Sequence, residues 1–227
     1  MRRLYDDPGA PSRIIVARIV DALSPQTRAA MADAAVARCL ATLTRAGAGD
    51  FAPEALSLDP SLPAAADLAA ALRACAESDI AGRREASQFG ELGLDALTAS
   101  ALTLAGEVAT PAAVRATLAR YSEERRLSEV AGRFVSEDLA CAFRHFVERD
   151  TPAHVGGPRL PGVSDAERLA DDVAGICRQT ADGVRLGGLE DDLWRAVERG
   201  PDAGHTLYRS VLTAALSDSL RALGVAP

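Results

Sequence analysis

Apolar side chains recur at intervals of three and four positions along most of this chain, which is the spacing of one face of an α-helix. The clearest example runs from about residue 206 to about residue 223, where apolar residues share one face and polar residues the other. Almost no segment shows the two-residue alternation that is typical of a half-buried strand. The pattern therefore predicts an all-α protein, a multi-helix bundle of about 8–10 helices.

Residues with strong preferences for helix ends divide this pattern into elements. Ser24-Pro25 and Thr110-Pro111 each combine a capping hydroxyl with a first-turn proline, which predicts that helices begin there. We predict one long helix from about Gln26 to Arg45 and nearly continuous helix over residues 111–149. Gly200-Pro201 is predicted to interrupt the chain before its last helix.

The spacing of the four cysteines suggests an internal duplication. Cys39 and Cys75 are 36 residues apart, and the same separation is found between Cys141 and Cys177. Two pseudo-repeated helical units are one explanation, and chance similarity between alanine-rich helices is the other. The units pack either separately or as one domain. We predict a frayed N-terminus over residues 1–10 and a first helical unit over residues 11–107. A second unit, which includes a closing C-terminal helix, is predicted over residues 108–227.

Composition and charge narrow the classes of function. The chain contains no lysine, which excludes a phosphate-binding P-loop and chemistry through a lysine Schiff base. The net charge is −7 and the pI is about 5.1, which argues against a nucleic-acid partner held through phosphates. There is no apolar run of membrane-spanning length and no pattern of an export signal. We expect a cytoplasmic protein that binds no membrane and whose cysteines are reduced and mostly buried.

A cysteine and a histidine one helical turn apart are the first candidate for chemistry. Cys141 and His145 share a helix face, so they could be metal ligands or a thiolate–imidazolium pair. No further cysteine or histidine lies within the spacing of a metal motif. Packing of both side chains in the core is the simpler interpretation, and we expect no metal and no cofactor.

An arginine and a histidine ahead of the last helix are the second candidate. Arg199 and His205 flank Gly200-Pro201-Asp202-Ala203-Gly204. This pair resembles the R-x(4–6)-H motif of the HEPN superfamily of helical ribonucleases and toxin-like proteins. The resemblance covers seven residues, and it implies that Arg199 and His205 polarise a phosphate and its attacking 2′-hydroxyl. The linker contains glycine and proline where the family has a helical turn.

A DNA-binding regulator of the tetracycline-repressor type would have a similar size and helical content. Its recognition helix lies near the N-terminus and is basic, whereas here the helix Gln26–Arg45 is alanine-rich and predicted to be unbroken. The acidic composition also disfavours this class.

The remaining hypothesis is a helical protein–protein interaction or assembly subunit, an adaptor that acts through its surface. Apolar stripes on helices are suited to bind a partner protein or a second copy of the chain. The best stripe lies on the last helix, and it packs either on this chain's own core or on a partner. The predicted interaction residues are Leu207, Val211, Leu212, Leu216 and Leu220.

Overall fold

The computed structural model describes residues 5, 7, 9–50, 64–106, 110–184 and 186–224. Of these residues 84% are helical, and no strand occurs among them, which confirms the predicted all-α multi-helix bundle. Two short 3-10 turns also occur. Thr151–His154 directly follows the seventh α-helix, and Gly187–Leu189 directly precedes the ninth. In chain order the α-helices are α1 (Ser12–Ala22), α2 (Pro25–Ala30), α3 (Ala34–Gly47), α4 (Ala64–Arg83), α5 (Gln88–Ala105), α6 (Pro111–Glu123), α7 (Leu127–Asp150), α8 (Val163–Asp182), α9 (Glu190–Ala203) and α10 (His205–Gly224).

The long helix predicted over Gln26–Arg45 is wrong, because the chain turns between α2 and α3. The carboxylate of Asp33 accepts a hydrogen bond from the Val36 N–H at 3.1 Å and so caps α3. The hydroxyl of Ser87, which itself caps α5, donates to the same carboxylate. The break is therefore stabilised by a residue 54 positions away, which the local pattern of apolar residues does not contain.

Two other boundaries follow from residues with positive φ. Arg125 has a φ of 51°, and it separates α6 from α7 within the stretch 111–149 that was predicted to be almost continuously helical. Gly200 has a φ of 78°, and it produces the predicted interruption as a kink within α9.

Helices α3 and α7 form the centre of the bundle. Helix α3 packs against α4, α5, α6, α7, α9 and α10, and α7 packs against α3 and α5 and most extensively against α8. Every residue from Ala35 to Ala41 is buried, so α3 is covered on all sides. Such coverage at close range depends on small residues: a Cβ at Gly90 of α5 would lie only 2.6 Å from the Ala35 Cβ.

The stripe on α10 packs on this chain's own core. Val211, Leu212, Leu216 and Leu220 are 4% exposed or less, and Leu207 is partly buried against the same core. Helix α10 lies against α1, α3, α7, α8 and α9. The alternative left open by the sequence is thus settled in favour of self-packing, and these five side chains present little or no free surface to a partner.

The segment that was predicted to fray includes a buried aromatic residue. Tyr5 is 1% exposed, and its ring lies 5.0 Å from that of His154 in the turn after α7. Nearby, Arg159 Nη1 donates to the carbonyl oxygen of Asp7 at 2.8 Å and also to that of Ala10. The described residues of this segment therefore pack against the loop between α7 and α8, whereas residues 1–4, 6 and 8 lie outside the described part.

The positions paired by the proposed duplication differ in burial. Cys39 is buried and its counterpart Cys141 is half-buried, whereas Cys75 is exposed and Cys177 is buried. The duplication and the two units 11–107 and 108–227 stay predictions. None of the described helices is long and apolar enough to cross a lipid bilayer.

Candidate functional site

A cleft of about 460 Å³ opens where the first half of α7 meets the ends of α5, α6 and α8. We call it the α7 cleft. Its apolar lining includes Leu104 at the end of α5, Tyr121 of α6 and Leu186 in the turn after α8. Gly132 of α7 also lines it, and the missing side chain there leaves the middle of the cleft open. A Cβ at this glycine would lie 3.9 Å from Leu186 Cδ1.

Charged side chains in the lining of the α7 cleft (Glu129, Arg133 and Asp182) and beside it (Glu124 and Arg126) form two ion-paired groups. Arg133 Nη1 donates to Asp182 Oδ2 at 3.1 Å. The guanidinium of Arg126 binds both carboxylate oxygens of Glu129, and it also donates to Glu124 Oε2 at 2.7 Å. These groups contain three carboxylates and two guanidinium ions, so the mouth has one more negative than positive charge.

A carboxylate from α9 holds one wall of the α7 cleft in place. Glu190 Oε1 accepts hydrogen bonds at 2.8 Å from the N–H of Leu127 and from Trp194 Nε1, and Oε2 accepts one at 2.6 Å from the Ser128 N–H. A carboxylate is favourable here because the first N–H groups of α7 have no partner within the helix. The turn between α8 and α9, which includes Leu186, is thereby fixed beside α7.

A second cluster of charge surrounds Arg38, which is only 4% exposed in the central helix. Its guanidinium lies 3.2 Å from Glu85 Oε2, 3.4 Å from Asp79 Oδ2 and 3.5 Å from Asp202 Oδ1, and donates to the Pro201 carbonyl at 3.0 Å. This cluster connects α3 to the end of α4 and to the kink of α9. The N–H groups of Arg38 donate to groups of this same chain. The cluster is therefore best explained as a structural connection between helices.

Asp138 is an unusual buried acid on α7. It is 3% exposed, and burial raises its pKa well above the ordinary range, with a smaller contribution from the charge of Asp33. The thiols of Cys39 and Cys141 also lie within its electrostatic influence. A carboxyl group in this environment retains its proton at pH values where an exposed aspartate has lost it.

We expect Asp138→Asn to stabilise the protein at neutral pH. The folded state holds the proton of Asp138 more tightly than the unfolded state does. The free energy of unfolding of the wild type therefore falls as the pH rises above the unfolded-state pKa of about 3.9. The slope is at most about 1.4 kcal/mol per pH unit. The fall ends above the folded-state pKa. The variant lacks this contribution, so in denaturant titrations its advantage should grow as the pH rises above about 4. Asp172→Asn, at an exposed position of α8, is the control, and equal pH dependence of both variants would contradict the assignment.

Cys141 and His145 do not form the reactive thiolate–imidazolium pair in the structure. Burial, together with smaller contributions from the charges of Asp138 and Asp95, raises the pKa of the Cys141 thiol to about 12. His145 Nε2 instead lies 2.8 Å from Gln88 Nε2. Among the described residues no group of three or more histidine, cysteine, aspartate or glutamate side chains could hold a metal ion. The expectation that most cysteines are buried holds for Cys39 and Cys177 but not for Cys75.

Arg199 and His205 lie on the two sides of the kink in α9. Arg199 is exposed, whereas His205 is half-buried and its Nε2 lies 3.4 Å from the carbonyl oxygen of Ala34. The histidine therefore has a contact that ties the start of α10 to the start of α3. The resemblance to the HEPN ribonucleases stays a prediction.

The three arginines of the segment Gln26–Arg45 are all engaged within the protein. Arg38 is buried, Arg28 Nη2 donates to the Val20 carbonyl at 2.8 Å, and Arg45 Nε donates to Asp50 at 2.7 Å. Because α3 is covered on all sides, it has no face with which to enter a groove of DNA. The short turn before it, which the sequence pattern missed, does not change this conclusion.

The described residues include four exposed large apolar side chains, and three of them belong to segments that adjoin one another. Ile14 of α1, Val155 in the loop after α7 and Val163 of α8 are 40%, 39% and 65% exposed, and the fourth exposed large apolar residue, Leu102, belongs to α5. Segments carrying the first three are joined by the hydrogen bonds of Arg159, and they border a shallow depression of about 350 Å³. We call Ile14, Val155 and Val163 the α1–loop surface.

Sequence reasoning did not single out the α7 cleft or the α1–loop surface. Gly132 was the one available signal for the cleft, because a glycine within a long helix costs about 1 kcal/mol relative to alanine. Comparisons of the chain with known protein families, with curated proteins and with solved structures found no match.

Proposed function

We propose that this chain is a helical protein–protein interaction or assembly subunit that binds its partner through the α1–loop surface. The observation that carries the proposal is that three of the four exposed large apolar side chains of the described residues belong to α1, the loop after α7 and α8, of which α1 and α8 pack against each other. Exposed apolar side chains grouped on one surface are characteristic of protein-binding sites, whereas isolated ones are ordinary.

The surroundings of the α1–loop surface suit a protein partner. The adjacent depression is lined mostly by charged residues, which include Arg159, Asp165 and Arg168, and polar groups of this kind are typical of the rim of a protein–protein interface. The net charge of −7 favours a protein over a nucleic acid. All four cysteines are free, as suits a subunit that works in the reducing cytoplasm. The partner is either another protein or a second copy of the chain.

Charged substitutions on this surface should abolish binding without unfolding the protein. We expect Ile14→Glu and Val163→Glu to keep the helical circular dichroism spectrum, because both residues are already exposed, at 40% and 65%. Both variants should lose the partner that wild-type protein retains from the native host, identified by mass spectrometry. If the partner is a second copy, they should instead lose the dimer in analytical ultracentrifugation.

Leu102→Glu is the matched control, since Leu102 is exposed to a similar degree but belongs to α5. This variant should keep the partner or the dimer. Equal binding by all three variants, or equal loss in all three, would show that the α1–loop surface is not the binding site.

A further inference from the structure

We propose that the α7 cleft binds a small organic cation, an alkyl- or arylalkylammonium compound whose apolar body fills the cleft. This inference does not depend on the proposed interaction through the α1–loop surface, because the two sites share no residue. It rests on the shape of the cleft, its lining and its charge.

The shape of the cleft suits a small molecule rather than a flat protein surface. Its volume of about 460 Å³ falls within the range of about 300–1,000 Å³ that is common for small-molecule sites. Walls come from the end of α5, from α6, from α7 and from the end of α8 with the following turn. The carboxylate of Glu190 keeps that turn beside α7 through hydrogen bonds to two N–H groups, so the cleft is formed before any ligand arrives.

The lining separates an apolar interior from a polar mouth. Leu104 and Leu186 are 8% and 7% exposed, and they offer aliphatic surface for the body of a ligand. The absence of a side chain at Gly132 creates the space between them and α7. The hydroxyl-bearing residues Tyr121 and Ser128 line the same cleft, and they add groups that donate or accept hydrogen bonds.

The charge of the mouth selects a cation. Glu129 and Asp182 line the cleft together with one arginine, Arg133. The only other cation in these ion pairs, Arg126, is shared between Glu129 and Glu124. The lining itself holds two carboxylates and one guanidinium ion, and an ammonium group at the mouth would compensate this excess of negative charge. The Arg126 guanidinium carbon lies 5.9 Å from the centroid of the Tyr121 ring, so this ring of the lining already interacts with one positive charge.

The first test compares three probes of similar size in protein NMR titrations of the full chain. We expect 2-phenylethylammonium to shift the amide signals of residues 128–133 and to bind about ten-fold more tightly than 3-phenylpropionate, with 2-phenylethanol in between. Equal affinities for the three probes would overturn the assigned ligand class. Absence of binding by the ammonium compound, or shifts confined to other residues, would overturn the site.

The second test uses variants that change the cleft without threatening the fold. Gly132→Leu places a side chain in the cleft and replaces the weakest helix former after proline by a good one, so we expect retained helix content and lost binding. Glu129→Gln should weaken the ammonium probe about five-fold and leave 2-phenylethanol unchanged. Glu167→Gln, at an exposed position of α8, is the control. Unchanged ammonium binding by Gly132→Leu or by Glu129→Gln would contradict the proposal.

Discussion

Replacing Arg38 by leucine is expected to lower the free energy of unfolding by about 3 kcal/mol. The guanidinium lies among Asp79, Glu85 and Asp202 and also donates to the Pro201 carbonyl. Leucine would leave these acceptors facing an apolar group inside the bundle. This decrease in the free energy of unfolding is near the low end of the range that is usual when one partner of a buried ion pair is removed. The reason is that the side chains of the three carboxylates are between 26% and 67% exposed, so that water can partly rehydrate them.

Denaturant titrations monitored by circular dichroism measure this difference, and Arg83→Leu is the matched control. Arg83 binds two of the same carboxylates, Asp79 and Asp202, but its side chain is 37% exposed. We expect this control to change the free energy of unfolding little, as is usual for solvated ion pairs. Equal losses in the two variants would show that the burial of Arg38 contributes nothing.

The second large effect is expected for Gly204→Ala at the junction of α9 and α10. A Cβ on this residue would overlap the carbonyl oxygen of Ala196 and lie 2.7 Å from that of Gly200. Both obstacles are backbone atoms, which cannot move aside by changing a rotamer. The overlap can be removed only if α10 shifts, and the apolar stripe of α10 fills the core. We therefore expect the free energy of unfolding to fall by about 3 kcal/mol. In thermal unfolding this corresponds to a melting temperature lower by about 6–12 °C.

Gly82→Ala provides the opposite control. Gly82 lies near the end of α4, and a Cβ there would meet no atom within 4 Å. Alanine is the better helix former by about 1 kcal/mol, so this variant should be slightly more stable than the wild type. A Gly204→Ala protein that also gains stability would mean that the junction accommodates a side chain and that its close packing is not required.

Much of the fold follows from local sequence, because helix formation and helix capping are short-range effects. Ser24 and Thr110 cap the helices that they were predicted to begin, through their bonds to the N–H groups of Thr27 and Ala113. The stripe of α10 is buried along the predicted face. The sequence did not reveal what covers that stripe, since the choice between self-packing and a partner depends on the relative positions of helices distant in sequence.

The features that escaped prediction all depend on residues far apart along the chain. The turn before α3 involves a bond between Asp33 and Ser87. Tyr5 is buried because the loop after α7 brings His154 to its ring. The α7 cleft exists because the ends of α5, α6 and α8 converge beside Gly132. Helical periodicity describes one element at a time, so none of these contacts leaves a trace in it.

The complete enclosure of α3 has a consequence for the order of folding. Residues Ala35–Ala41 are covered partly by nearby helices and partly by α7, α9 and α10, which follow up to about 180 positions later. During synthesis the apolar faces of α3 must therefore wait for the last two helices to emerge before they are shielded from water. A chain paused before α9 would expose them, and such an intermediate is a natural substrate for chaperones and a starting point for aggregation.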